Sequence, residues 1–185
     1  MKKAEVLLVG LGGQGVQLAG DIIGEGCALE GKKVSSLPSY GAEARGTLIR
    51  SEVVISDEPI VYPGVLEPDF LVAFSQEAYD HFLPSLQPKT KIIYDPASVT
   101  PAPASQTEAK HYQVAAIQTA AELGNAKAAN MVMLGALAAL SEVIPKRAVG
   151  RMVAKGPKAR KELSTKAMDK GFELARRQLE PPSAE

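Results

Sequence analysis

The 185-residue chain holds one cysteine, two histidines, no tryptophan and only 5% aromatic residues. Each scarcity removes a class of chemistry. A lone thiol cannot hold an iron–sulfur cluster, which takes four thiolates. Cys27 falls on the apolar face of the first predicted helix, shared with Val16, Ala19 and Ile23, so burial is its expected role. His81 and His111 stand far apart with no second ligand set near either, and no metal site is expected. Basic and acidic residues both number 21, so no global field draws the chain to nucleic acid or to an acidic membrane. The shortage of rings argues against stacking on single-stranded nucleic acid. No apolar run is long enough to span a bilayer, the longest uncharged helical stretch being 128–141. The start, Met1-Lys2-Lys3, leads into a short strand broken by Gly10 rather than into a signal helix. The expectation is a cytoplasmic chain forming one domain over 1–185, with no membrane and no nucleic-acid partner.

What is present begins with Val6-Leu7-Leu8-Val9, an apolar strand run that feeds into Gly10-Leu11-Gly12-Gly13-Gln14-Gly15. A glycine-rich turn between a strand and a helix lets backbone N–H groups approach an anion without Cβ atoms in the way. Gly10, Gly12 and Gly15 also satisfy the dinucleotide spacing. The second predicted strand, Lys33 to Leu37, ends without the acidic residue that would hold a ribose. No Gly-Lys-Ser or Gly-Lys-Thr follows the turn, which excludes a P-loop. Two meanings stay open: a cradle for a phosphate-bearing ligand, or glycines that only let the helix pack closely on the sheet.

Further along, strand and helix signals alternate as in βα units, which predicts an α/β fold with a Rossmann-like, mostly parallel open sheet and C-terminal helices. Helices are expected at 14–30, 76–83, 117–123 and 126–143, and strands at 33–37, within 46–56, at 70–74 and at 91–95. Residues 96–107, rich in Pro, Ala, Ser and Thr, read as a surface loop. The helix over 126–143 is apolar on nearly every side, with Asn130 almost alone as a polar residue, which places it in a core or an interface. Met133 is taken as an outward position on it. Between Lys146 and Lys170 nine basic residues face two acidic ones. This basic C-terminal segment, 146–185, reads as two solvated helices broken at Gly156-Pro157, or as a docking surface. Tyr40 to Arg45 follows a strand end, the usual side for ligand loops; a ring at Tyr40 and a guanidinium at Arg45 suit adenine and phosphate.

The segments Gly10 to Val16, Ser39 to Gly46, Glu122 to Asn125, Asn130 to Leu137 and Lys166 to Phe172 resemble, in order, the gamma subunit of the 2-oxoacid:ferredoxin oxidoreductases. The resemblance runs from residue 6 to about residue 175 and does not fix which 2-oxoacid is used, although the overall look of the chain leans to 2-oxoglutarate. It implies a coenzyme A site at Gly10, Gly12, Gly13, Gln14, Gly15, Tyr40 and Arg45, with coenzyme A as co-substrate. It also implies alpha, beta and delta (ferredoxin-like) partner subunits that carry thiamine diphosphate, magnesium and the iron–sulfur clusters, with ferredoxin reached through them. The isolated chain is then expected to be inactive and open to pairing with a second copy. A scaffold subunit without its own ligand and a nucleotide-binding reductase domain are the rival readings.

Overall fold

A computed structural model of the chain describes residues 2–39, 47–156 and 158–179. Six strands form one sheet: β1 (Lys3–Leu11), β2 (Lys33–Ser39), β3 (Leu48–Ser56), β4 (Phe70–Ala73), β5 (Lys91–Tyr94) and β6 (Lys110–Gln113). Their order is β2-β3-β1-β4-β5-β6. β3 runs antiparallel to both β1 and β2, while β1, β4, β5 and β6 pair in parallel. Five strands therefore point one way and only β3 is reversed, so the sheet is mostly parallel as expected. The β2–β3 hairpin slots its second strand against β1, which a standard doubly wound order would not do.

Both faces of the central strands are buried, which explains their unbroken apolar runs. Val6 and Leu8 of β1, with Val72 and Ile93 from its neighbours, face the larger core. Leu7 and Val9, with Leu71 and Ile92, face the other side. The larger core lies under α1 (Val16–Leu29), α3 (Ala116–Glu122), α4 (Ala129–Leu140), α5 (Lys146–Lys155) and α6 (Lys158–Arg177). The opposite face is covered by α2 (Gln76–Phe82), through Ala78, Tyr79 and Phe82. Cys27 is fully buried in the larger core, and burial pushes its thiol up to about 11.

β6 is absent from the sequence expectation. Lys110-His111-Tyr112-Gln113 has one buried apolar residue and sits at a sheet edge, so its pattern offers little hydrophobic signal.

The helix that is apolar all round is buried by this chain itself. α4 packs on α6, α3, α5, α1 and the strands β4 and β5. Met133 is 1% exposed, so it is a core residue and not the outward position expected. The closest approach is to α6. A Cβ on Gly135 would run into the Met168 carbonyl, and a Cβ on Gly171 into the Val132 carbonyl. Two helix backbones touch there, because each supplies a glycine where the other supplies a carbonyl.

Five of the nine basic residues between Lys146 and Lys170 form ion pairs. Arg147 and Arg151 both reach the shielded Glu30 carboxylate of α1's end, at 2.5 and 3.2 Å. Lys146 pairs with Asp169, Lys166 with Glu162 and Lys170 with Glu173. Arg147, Arg151 and Lys146 thus tie α5 to α1 and α6, while the pairs of Lys166 and Lys170 lie within α6.

Candidate functional site at the sheet switch point

The chain leaves β1 through α1 toward β2, and leaves β4 through α2 toward β5 on the other side. A crevice opens where such connections diverge, at the carboxyl ends of the strands. Here it is a cavity of about 350 Å³ lined by the glycine turn, the ends of β4 and β5, and the starts of α3 and α4.

The glycine turn is built from its own residues. Gln14 folds back so that its Oε1 accepts the Leu11 N–H at 2.7 Å, while its Nε2 donates to the Phe74 carbonyl at 2.9 Å. Both ends of that amide are thereby engaged, buckling the turn to the end of β4. Gly12 donates its N–H to the Thr47 carbonyl at 3.1 Å, and Gln14 its N–H to Leu11 at 3.2 Å. Gly13 and Gly15 have φ of +99° and +79°, a region that side chains rarely adopt. Gly15 is the N-cap of α1 and offers no side-chain cap, so among the described residues no side chain caps the N–H groups of its first turn, which suit a ligand.

The glycines divide by role. A Cβ at Gly10 would press on Gln14, Phe74 and Val16, and one at Gly15 on the Asn130 amide. Among the described residues, a Cβ at Gly13 would meet nothing within 4 Å, and Gly13 lines the cavity. Close packing thus explains Gly10 and Gly15, while Gly13 faces space that no described residue fills. Tyr40 and Arg45 lie outside the described residues. The residues flanking them, Ser39 and Thr47, stand at the same end of the sheet as the turn.

Three cavity residues were not assigned to the site from sequence. Asp95, just past β5, is 4% exposed; its Oδ1 accepts the Ala97 N–H at 2.8 Å and its Oδ2 the Ile117 N–H at 2.6 Å. Its position directly after an apolar strand was the available signal. Lys127 sits in the short 3₁₀ turn Ala126–Ala128 that leads into α4, capped by Asn125 Oδ1. Asn130, in the first turn of α4, is 8% exposed and lines the cavity. Its amide makes no hydrogen bond to another described residue. The lone polar residue of a greasy helix was visible in the sequence; that it faces Gly15 was not.

The pyruvate ferredoxin/flavodoxin oxidoreductase family model matches residues 5–174. The chain belongs to that family. Within it the chain is a gamma subunit of a 2-oxoacid:ferredoxin oxidoreductase. It is 37% identical over 177 residues to the 2-oxoglutarate synthase subunit KorC of Methanocaldococcus jannaschii, covering 94% of this chain and 95% of that protein. The structure of a keto/oxoacid ferredoxin oxidoreductase gamma subunit from Geobacter sulfurreducens superposes with a TM-score of 0.84 at 35% identity, covering 95% and 97% of the two chains. A 2-oxoglutarate:ferredoxin oxidoreductase from Magnetococcus marinus, with 2-oxoglutarate, coenzyme A and succinyl-CoA bound, gives a TM-score of 0.85 at 28% identity; the match covers 96% of this chain and 32% of that one. The segments of this gamma subunit that carry its resemblance meet in space: the glycine turn touches Asn130, and the α4 segment crosses the α6 segment at Gly135 and Gly171. Among its described residues, no group of three or more His, Cys, Asp or Glu could hold a metal ion, and no helix is long and apolar enough to cross a membrane.

Proposed function

We propose that this gamma subunit binds coenzyme A at the switch-point crevice, within a complex that oxidatively decarboxylates 2-oxoglutarate to succinyl-CoA and passes two electrons to ferredoxin. The observation that carries it is the space beside Gly13 that no described residue fills, at a helix N-terminus without a side-chain cap on the edge of a cavity. Such a terminus favours the pyrophosphate of the ligand. Gly12 and Gln14 hold the turn in shape, Gly10 and Gly15 let it pack, and Arg45 and Tyr40 join from the connection between β2 and β3. Arg45 pairs with a phosphate and Tyr40 offers a ring face. β2 ends without an acid, so no carboxylate there repels the 3′-phosphate that distinguishes coenzyme A from NAD. Four KorC relatives at 32–37% identity favour 2-oxoglutarate as the substrate.

The chain's one thiol is buried, and an iron–sulfur cluster needs four. On this reading, which rests on the family resemblance, alpha, beta and delta subunits carry thiamine diphosphate, magnesium and the clusters, and the gamma chain alone is inactive. The test is the reconstituted complex with Gly13→Asn or Arg45→Ala in the gamma subunit. Loss of one charge-assisted contact costs about 1.5–3 kcal/mol, so the KM for coenzyme A should rise by roughly 10- to 150-fold in Arg45→Ala, with the KM for 2-oxoglutarate unchanged. An unchanged coenzyme A dependence in both variants would leave the turn as packing only.

A further inference from the structure

Between Lys146 and Lys170, the cations outside the five ion pairs fall in one short stretch, Lys155 to Lys161. Lys155 ends α5, and α6 opens on Lys158-Ala159-Arg160-Lys161 with no acid in its first turn. Lys155, Arg160 and Lys161 are exposed and form no ion pair with a described residue. Cations at a helix N-terminus oppose the macrodipole, so the fold alone gives no reason for this placement. The three line one lip of a groove of about 370 Å³ between α1, α5 and α6. The other lip carries Asp21 and Glu25, one turn apart on α1, exposed and likewise without an ion pair to a described residue. The Gln17 Nε2 donates to Asp21 Oδ1 at 2.8 Å, which steadies that carboxylate. Between the lips the floor is apolar: Ile22, Met131 and Met152, with Leu18 52% exposed beside them.

We infer that this groove docks a helix of another subunit of the complex, with an apolar ridge between an acidic and a basic flank. The ridge covers Leu18 and the two methionines. The acidic flank meets Lys155, Arg160 and Lys161, and the basic flank meets Asp21 and Glu25. A groove between helices takes such a ridge through anchors about one turn apart, and methionine side chains adapt to what they receive. The charges choose the occupant. With one lip of each sign, only a segment flanked in the opposite order pairs both, and any other arrangement brings like charges together. An anionic lipid surface is disfavoured, because Asp21 and Glu25 would face its headgroups. A second copy of this chain, groove to groove, would set one hollow against another and leave both floors uncovered. A larger body beside the domain has a counterpart: the matched part is 32% of the Magnetococcus marinus chain, so the rest of that chain adjoins it. The inference goes beyond the coenzyme A reading and does not depend on it, since the groove shares no described lining residue with the switch-point crevice.

The experiment uses the reconstituted complex with Arg160→Glu and Lys161→Glu combined in the gamma subunit. Carboxylates at a helix N-terminus suit the macrodipole, so the melting temperature of the gamma chain should hold or rise. Its affinity for the other subunits should nonetheless fall about tenfold or more, read by sedimentation of labelled gamma chain titrated with them. Glu25→Lys should weaken assembly in the same way from the opposite lip, and it carries the test if the double variant melts lower. In an otherwise wild-type complex, a photoreactive benzoylphenylalanine in place of Leu18 should cross-link to a helical peptide of another subunit that bears acidic residues on one flank. Variants on both lips that assemble as tightly as wild type would overturn the proposal. A cross-link only to a second gamma chain, or to no protein, would overturn it too, as would binding to phosphatidylserine vesicles in preference to the other subunits. The KM for coenzyme A of the complex that does assemble should equal the wild-type value. A raised KM with assembly intact would assign these charges to ligand binding and refute the docking role.

Discussion

The crossing of α4 and α6 predicts opposite effects from the same chemical change at two glycines. In Gly171→Ala the added methyl would fall on the Val132 carbonyl oxygen, with the carbonyl carbon at 2.6 Å and Cα at 2.9 Å. These are backbone atoms of the facing helix, so no rotamer change relieves the overlap and the helices must part by on the order of 1 Å. A gap of that size forfeits about a quarter to a half of the dispersion attraction across the contact. Overpacking of this kind costs about 1–3 kcal/mol, and a backbone-on-backbone clash belongs at or above the upper end. Alanine recovers about 1 kcal/mol through helix propensity, leaving a net loss of roughly 2 kcal/mol, or about 4–8 °C in Tm for a chain of this size. Gly150→Ala, in α5, is the control: among the described residues its methyl would meet only the Met168 side chain, at 3.5 Å or beyond. There the propensity gain stands alone, about 0.5–1 kcal/mol of added stability. Urea and thermal unfolding of the purified chain, followed by far-ultraviolet circular dichroism, measures both. A Gly171→Ala protein as stable as wild type would refute the close crossing and with it the account of why α4 is buried by α6.

Acid sensitivity should appear in two steps. His111, half-buried on β6, meets the Tyr79 hydroxyl at 2.8 Å, and burial lowers its pKa below the ordinary 6.5. The folded protein then binds fewer protons than the unfolded chain, so this stability is full above pH 6.5 and declines as pH falls toward the folded value. Denaturation midpoints across pH 5–8 should lose that slope in His111→Gln. Glu5 follows at lower pH: burial alone would raise it, yet Lys3 and the N–H groups of Glu67 and Leu66 outweigh burial and lower it. Its contribution is present above the unfolded value near 4.5 and is lost as pH falls through the lowered one. Met133→Glu should unfold the chain instead of weakening assembly, because it places an unpaired carboxylate in the core at a cost of several kcal/mol. Soluble, folded protein that merely fails to assemble would restore the interface reading of α4.

Most elements were legible because their signals are local. The strand runs at 6–9, 70–74 and 91–95 and the helix break at Gly156 depend on neighbours in sequence. Three features were not legible, each for a physical reason. β6 is a short edge strand whose residues alternate without a strong apolar pattern. The reversal of β3 depends on which strand it pairs with, and no residue between 46 and 56 encodes that choice. The composition of α4 required burial on every side, but what buries it is a glycine contact with α6, far along the chain. The site divides the same way. The glycine turn is visible in the sequence, whereas the roles of its members are set by distant partners: Thr47 for the Gly12 N–H, Phe74 for Gln14 and Asn130 for Gly15.

The most direct test of the central claim is hydrogen exchange of the assembled complex with and without coenzyme A, followed by mass spectrometry of the gamma chain. Coenzyme A should protect peptides covering residues 10–17 and 125–133, where the open N–H groups and the cavity lie, and NAD at equal concentration should not. Protection confined to partner subunits, with both gamma-chain segments exchanging at their unliganded rates, would contradict the account.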